Sequence, residues 1–259
     1  MKISIITVSY NCVDIIERAI KSIVSQEYAN LEYIVVDGGS TDGTVDVIKK
    51  YEDKITKWIS EPDSGISNAF NKGIALCTGD VIGIISSDDG LLPGALNAVA
   101  DAFSPDVDVY RGKTLLWKED SDTKVVENPS MHFTYTGHDN IGHQSTFVSA
   151  SAYGKYGMFD EKCKYAMDYD LLLRYEKTGA KFKYIDEILA FYSLGGITFS
   201  RYSKEKEAEF VYILEKNGAT KLDIVKFKLI KRMKLLVGKF IPKEVLMKIK
   251  NGAGSNVNV

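Results

Sequence analysis

The chain has few of the residues that staple or metallate small proteins. Of 259 residues, three are cysteine, three histidine and two tryptophan. Cys12, Cys77 and Cys163 are odd in number, widely spaced and without a CxxC pair. That argues against a disulfide framework or a zinc site and points to a reducing compartment. No apolar run approaches the ~20 residues needed to span a bilayer. The strand-like opening Ile3 to Val8 carries no secretory-leader pattern, so a cytoplasmic placement is expected. The formal net charge is only −2, and no recognised nucleic-acid-binding motif occurs, so nucleic acid is not an expected partner.

That near-neutral total conceals an uneven distribution. Between Lys221 and Lys250 stand ten Lys or Arg against two acids, Asp223 and Glu244, which leaves 23 basic and 33 acidic residues for the remainder. The body is acidic and the tail basic. In the tail, Leu222, Val225, Leu229, Met233, Leu236 and Phe240 fall at three- and four-residue steps, with Lys228, Lys231, Arg232 and Lys234 mostly off that face. A basic amphipathic helix of this kind either lies on an anionic membrane or packs on the domain with a solvated basic rim.

The first hundred residues alternate apolar runs of strand length with helically spaced apolar stripes. Strands are expected at Ile3–Val8, Tyr33–Val36, Ile55–Ser60 and Val81–Ile85, and helices around Ile15–Val24, Asp42–Tyr51, Ile66–Cys77 and Leu92–Phe103. Such alternation with short connections predicts an α/β fold around a mostly parallel sheet. Residues 107–160 read as mixed strands and loops. A helix is expected over Asp168–Thr178, a strand over Lys181–Ala190, and helix again from Ser203 to near Lys250. The division expected is 1–202 for the main domain, with halves 1–110 and 111–202, then 203–250 as a helical extension and 251–259 as a frayed tail.

Ligands of open α/β sheets bind beyond the carboxyl ends of the strands, so the residues there are the candidates. Val81–Ile85 runs through Ser86 and Ser87 into Asp88 and Asp89, with Gly90 read as a turn. Two adjacent carboxylates repel each other, and a divalent cation settles them. Tyr10 follows the first strand and Asp37 ends the second. An aromatic face can stack on a nucleobase and a carboxylate can accept from a pyrimidine N3–H, while a simple turn is the alternative. Asp63 either caps the third helix or contacts the ligand. Lys72 either reaches a phosphate or decorates a solvated face. His143 and Gln144 lie in a polar loop, His143 as base, ligand or ordinary hydrogen-bonding residue. Asp168 and Asp170 flank Tyr169 at a helix start, so only one of them can face a site.

Taken in order, these segments resemble the family 2 glycosyltransferases of the GT-A fold. The matching stretches are Ile5-Ile6-Thr7-Val8-Ser9-Tyr10-Asn11, Val35 through Thr44, Glu61-Pro62-Asp63-Ser64-Gly65, Asn71-Lys72-Gly73, and Gly79-Asp80 leading to Ser87-Asp88-Asp89. Gly142-His143-Gln144, Gly157-Met158-Phe159-Asp160 and Met167-Asp168-Tyr169-Asp170-Leu171 follow. The resemblance implies a Rossmann-like α/β/α sandwich and an inverting transfer of one sugar from a nucleotide-sugar donor, with uridine favoured. It implies nucleotide contacts at Tyr10, Asp37, Asp63, Lys72 and Asp88. It also implies a Mn²⁺ or Mg²⁺ site at Asp88 and Asp89, with Asp89 the more direct ligand, a catalytic base at Asp168, and a donor- or acceptor-sugar loop at His143 and Gln144. With the basic tail, it makes a lipid-linked sugar in cell-surface polysaccharide assembly the expected acceptor, reached from the cytoplasmic membrane face.

Three departures qualify the resemblance. Ser86 and Ser87 stand where relatives often carry an acid, and Met167 where many carry Glu. QxxRW, a motif of processive synthases, does not occur, which implies one sugar per visit. A sugar-phosphate nucleotidyltransferase is the enzymatic alternative, but Ser9-Tyr10-Asn11-Cys12 lacks the glycine-rich basic stretch such enzymes use. A non-catalytic nucleotide-sugar binder is the other alternative, and it would tolerate loss of the Asp168 carboxylate.

Overall fold

A computed structural model describes residues 1–117, 124–136, 141–193 and 203–240, the last seven by backbone only. Nine strands form one sheet among the described residues. They are β1 (Ile3–Ser9), β2 (Leu31–Asp37), β3 (Lys57–Ser60), β4 (Val81–Ser86), β5 (Gly90–Leu91), β6 (Val109–Trp117), β7 (Lys124–Glu127), β8 (Thr146–Ser149) and β9 (Phe182–Ser193). Their order is β3-β2-β1-β4-β8-β6-β9-β5, with β7 paired to β6. The β3-β2-β1-β4 half is parallel. Beyond β4 the sheet is mixed: β8 runs antiparallel to β4 and β6, and β9 parallel to β6.

All seven residues of β1 are buried, which explains why its sequence is a continuous apolar run rather than an alternating one. Its side chains still alternate between faces. Ile3 and Ile5 join a core with Tyr33, Val35, Val81 and Ile85. Two helices on that side, α1 (Ile16–Val24) and α4 (Ala95–Ala102), supply Ile16, Ile20, Ile23, Leu96 and Val99. The short α2 (Thr44–Lys49) adds Val47 and Ile48. Ile6 and Val8 join the opposite core with Ile34, Val36, Ile82 and Ile84. There α3 (Ile66–Leu76), α5 (Ala150–Tyr156) and α6 (Met167–Lys177) close the layer.

The C-terminal helices share that second core. In α7 (Lys204–Lys216) Ile213 and Leu214 are fully buried, and Phe227 of α8 (Lys221–Phe240) is 1% exposed. The helix expected from Ser203 to near Lys250 is interrupted at Asn217–Thr220. Gly218 there has φ +84°, a conformation that ends helices; residues 241–250 lie outside the described residues. β3 begins two residues after the expected Ile55, and β9 runs three residues past Ala190. Gly90 is not a turn. It opens β5, where a Cβ would sit 2.4 Å from the Phe191 ring, so only glycine allows the close approach.

Candidate functional site

The parallel register aligns the strand ends. Ser9 pairs with Asp37 and Val8 with Ser86, so the segments after β1, β2 and β4 emerge along one edge. Asn11 has φ +44°, and its Oδ1 accepts from the Thr41 amide at 2.9 Å. Tyr10 stands 66% exposed beside this turn. Asp37 is fully buried. It accepts from the hydroxyls of Ser9 (3.0 Å), Ser40 (2.5 Å) and Ser60 (2.7 Å), and from the amides of Gly39 (3.1 Å) and Ser40 (2.8 Å). Burial pushes its carboxyl pKa up, but the hydrogen bonds from Ser40, Ser60 and Ser9 outweigh this and hold it below the usual carboxylate range. Its charge therefore organises the turn from the inside.

Asp63 and Tyr10 converge over Gly38. A Cβ on Gly38 would lie 2.6 Å from Asp63 Oδ2 and 3.2 Å from the Tyr10 ring. The other oxygen of Asp63 accepts from the Gly65 amide at 2.9 Å, just before α3. Lys72 pairs with Glu61 at 2.7 Å and donates to the Pro62 carbonyl at 2.9 Å, which fastens the Glu61–Asp63 loop to the helix. These four candidates form one corner at the ends of β1 to β3.

A second group gathers at the end of β4. Asp89 is 1% exposed and accepts from Gln144 Nε2 at 2.8 Å and the Ser193 amide at 3.2 Å. Burial first, and the Asp88 carboxylate second, push its pKa well above the usual range. Asp88 is only half-buried, and its backbone carbonyl accepts from Arg18 Nη2 at 2.8 Å. Of the two carboxylates, Asp88 is the more accessible. His143 lies with Nε2 3.4 Å from Ser86 Oγ and Nδ1 3.7 Å from Asp168 Oδ2. Its apolar surroundings lower the imidazole pKa, opposed by the charges of Asp168 and then Asp88. Beneath His143 and Asp168 is a cavity of about 30 Å³ walled by Phe70, Ile84, Val148 and Leu172.

Asp168 and Asp170 face different environments. Asp168, a quarter exposed, lies in the first turn of α6 on the cavity side. Asp170 is fully buried and binds Lys216 Nζ at 3.0 Å and Asn217 Nδ2 at 3.0 Å. Asp160, Cys163 and Asp170 are close enough to hold a metal ion. Lys216, however, already sits between the carboxylates, 2.7 Å from Asp160 and 3.0 Å from Asp170. An ammonium in that position supplies the countercharge a metal would bring.

Several functional contacts carried no sequence signal. Glu209 on α7 accepts from three successive amides, Lys164 (2.7 Å), Tyr165 (2.8 Å) and Ala166 (2.8 Å), at the N-terminus of α6. It anchors the segment leading into the helix that bears Asp168 from 43 to 45 residues away. Arg111, fully buried on β6, donates to the carbonyls of Ser130 and Ile141 and to Thr146 Oγ1. It thereby draws in the segment that precedes His143. A lone glutamate or arginine in a sequence points to neither contact.

The fold is GT-A-like: a mostly parallel mixed sheet between helical layers, with C-terminal helices. Residues 4–159, more than half the chain, match glycosyl transferase family 2, and the chain belongs to that family. It is 33% identical over 183 residues to an uncharacterized glycosyltransferase of Mycobacterium tuberculosis, covering 66% of this chain and 68% of that one. It is 29% identical over 234 residues to chondroitin synthase of Escherichia coli, covering 87% of this chain but only 34% of the synthase. Among solved structures, residues 1–349 of TarS from S. aureus in complex with UDP-GlcNAc superpose with a TM-score of 0.67 at 18% identity. That match covers 88% of this chain and 71% of TarS 1–349. The mannosyltransferase PcManGT from Pyrobaculum calidifontis, in complex with GDP-Man and Mn²⁺, gives 0.64 at 16% identity over 99% and 76%. At those identities the likeness is one of fold. The chain is a glycosyltransferase, and among its described residues no helix is long and apolar enough to cross a membrane.

Proposed function

We propose that the chain transfers one sugar, a hexose or N-acetylhexosamine, from a nucleotide-sugar donor to an acceptor hydroxyl, with inversion at the anomeric carbon. UDP is the favoured carrier, in keeping with the UDP-GlcNAc of the TarS structure, although the GDP-Man of the mannosyltransferase marks guanosine as the competing base. The observation that carries the reading is the gathering of Asp168, His143 and the Asp88–Asp89 pair at the end of β4: His143 lies 3.7 Å from Asp168 Oδ2 and 3.4 Å from Ser86 Oγ, and its neighbour Gln144 holds Asp89. In this reading Asp88 serves the leaving diphosphate and Asp168 the incoming hydroxyl.

Tyr10 and Asp63 border the space over Gly38 where a nucleobase would lie, with Asp37 holding the turn beneath. Lys72 holds the neighbouring loop through Glu61 and would face the phosphates in this reading. The chemistry of the Asp88–Asp89 pair fits a divalent cation, Mn²⁺ or Mg²⁺: Asp89 is buried and destabilised by its neighbour's charge, and nearby cationic charge relieves both costs. The resemblance makes Asp89 the more direct ligand; because Asp88 is the more open carboxylate, we propose instead that it is the principal ligand, with Asp89 behind it. The cation, when bound, offsets the charge that builds on the departing diphosphate. Asp168 accepts the proton of the acceptor hydroxyl as its oxygen bonds to C1. The bond from C1 to the diphosphate oxygen breaks, and its electron pair leaves with the nucleoside diphosphate. His143 flanks Asp168 as a positioning residue, and Gln144 holds Asp89. The favoured acceptor is a lipid-linked sugar of cell-surface polysaccharide assembly.

The test is a panel of nucleotide sugars screened for Mn²⁺-dependent release of nucleoside diphosphate, with and without glycan acceptors. Release with one donor, lost on chelation and restored by Mn²⁺, is the expected result. Asp168→Asn that turns over like the wild type would overturn the assignment of the base.

A further inference from the structure

Among its described side chains, the basic helix α8 docks on the domain through a residue outside its apolar stripe. That residue is the buried Phe227. Its ring centroid lies 5.6 Å from that of Phe210 on α7, and Lys231 Nζ lies over both rings at 4.5 and 5.0 Å. The opposite face is left in water. Leu222, Val225, Leu229 and Met233 are 61%, 60%, 57% and 56% exposed. At 3.6 residues per turn these four occupy an arc of roughly 80°. Lys226 borders the arc on one side, and Lys221 and Arg232 on the other; all three are exposed. An apolar strip exposed along an otherwise folded helix marks a contact surface. Cationic borders on both sides select a partner that is apolar in its interior and anionic at its surface, which is the boundary layer of an acidic bilayer.

We propose that this face of α8 is a docking surface for an anionic lipid membrane. The four apolar side chains enter the headgroup–acyl boundary while Lys221, Lys226 and Arg232 meet lipid phosphates. The same contact places the site beside the bilayer. Tyr169, next to Asp168, packs on Phe210 at 5.6 Å, and Phe210 packs on Phe227, so one aromatic of α7 separates the helix of the proposed base from the lipid-facing helix. That consequence, an acceptor delivered from the membrane, rests on the glycosyl-transfer role proposed above for Asp168; the docking itself does not.

The test is co-sedimentation of the full chain with vesicles of phosphatidylcholine alone or of phosphatidylcholine and phosphatidylglycerol in equal parts. Binding to the acidic vesicles, falling as salt rises, is expected. Val225→Asp combined with Leu229→Asp should lower the bound fraction by at least about tenfold, and Lys221→Glu combined with Arg232→Glu should remove the preference for phosphatidylglycerol. These side chains are solvent-exposed, so Tm and UDP affinity should match the wild type. No binding of the wild type to acidic vesicles at low salt overturns the proposal, as does wild-type binding by the Val225→Asp, Leu229→Asp variant. A dimer that the same variant splits, with lipid binding unaltered, assigns the face to a second copy and also overturns it. Failure of the wild type to bind UDP would count against the functional reading and leave the docking result standing.

Discussion

The two halves of the sheet hold their functional side chains by different means. At the ends of β1, β2 and β3 the candidate residues are fixed by neighbouring turns: Asp37 by Gly39, Ser40 and the adjacent strand ends, Asp63 by Gly65, Lys72 by Glu61 and Pro62. In the mixed half, Asp168 depends on residues remote in the chain. Glu209 on α7 holds the amides that lead into its helix, Lys216 neutralises the buried Asp170 two residues on, and Arg111 draws in the segment leading to His143. A half built from local turns should confine the effect of a mutation. A half built from long-range polar contacts should transmit it.

The largest effect is expected where chemistry alone is touched. Asp168→Asn should reduce kcat by about a thousandfold, the scale of general-base catalysis, with UDP affinity unchanged in calorimetry. An equal loss of UDP affinity would erase the distinction between the halves. Next is a test of the parallel scaffold by pH. Glu32 accepts from Lys2 Nζ, Ser4 Oγ and both the amide and hydroxyl of Thr78 at 2.6–2.7 Å. Burial opposes its ionisation, but the hydrogen bonds of Lys2, Ser4 and Thr78 bring its pKa from 4.5 down to about 2. A lowered carboxyl pKa stabilises the folded state above the unfolded value near 4.5, and that stability is lost as pH falls through about 2. Glu32→Gln should therefore cost roughly 2–3 kcal/mol at neutral pH. In denaturant titrations, the gap from wild type should close as acid approaches pH 2. A gap that does not change with pH would sink the argument.

Smaller but more discriminating is Glu209→Ala. It removes the acceptor of three amides, two of which water can reach, and should cost about 1 kcal/mol of stability. It should also lower kcat about tenfold as Asp168 loses its setting, with donor KM unchanged. Glu209→Gln, which keeps an acceptor, should recover part of both. A change in donor KM alone would mean that α7 serves the nucleotide corner instead. The smallest effect belongs to Gly38→Ala, whose methyl would press on Asp63 and Tyr10. Donor KM should rise about tenfold, the usual scale of a displaced contact, while Tm and kcat hold. If kcat falls instead, the corner is not insulated from the chemistry.

The same contrast decides what was legible in the sequence. Strand–helix alternation and the ordered motifs located the parallel half, because a buried parallel strand announces itself as an apolar run and each motif closes within a few residues. The separation of Asp168 from Asp170 was foreseeable from helix geometry alone, though not which of the two would face inward. The roles of Glu209, Arg111 and Lys216 were not legible, since their partners lie 40 or more, 19 or more and 46 or more residues away. The amphipathic tail was legible as a pattern, but its apolar stripe left two placements open. The structure docks the helix through Phe227, which lies outside that stripe.

Lys216 has a further consequence. If Mn²⁺ binds at Asp88 and Asp89 as proposed, the carboxylates of Asp160 and Asp170 form a second cluster that could compete for it. By carrying its own tethered countercation there, the chain disfavours a metal ion in that pocket. Paramagnetic relaxation should then radiate from a single centre.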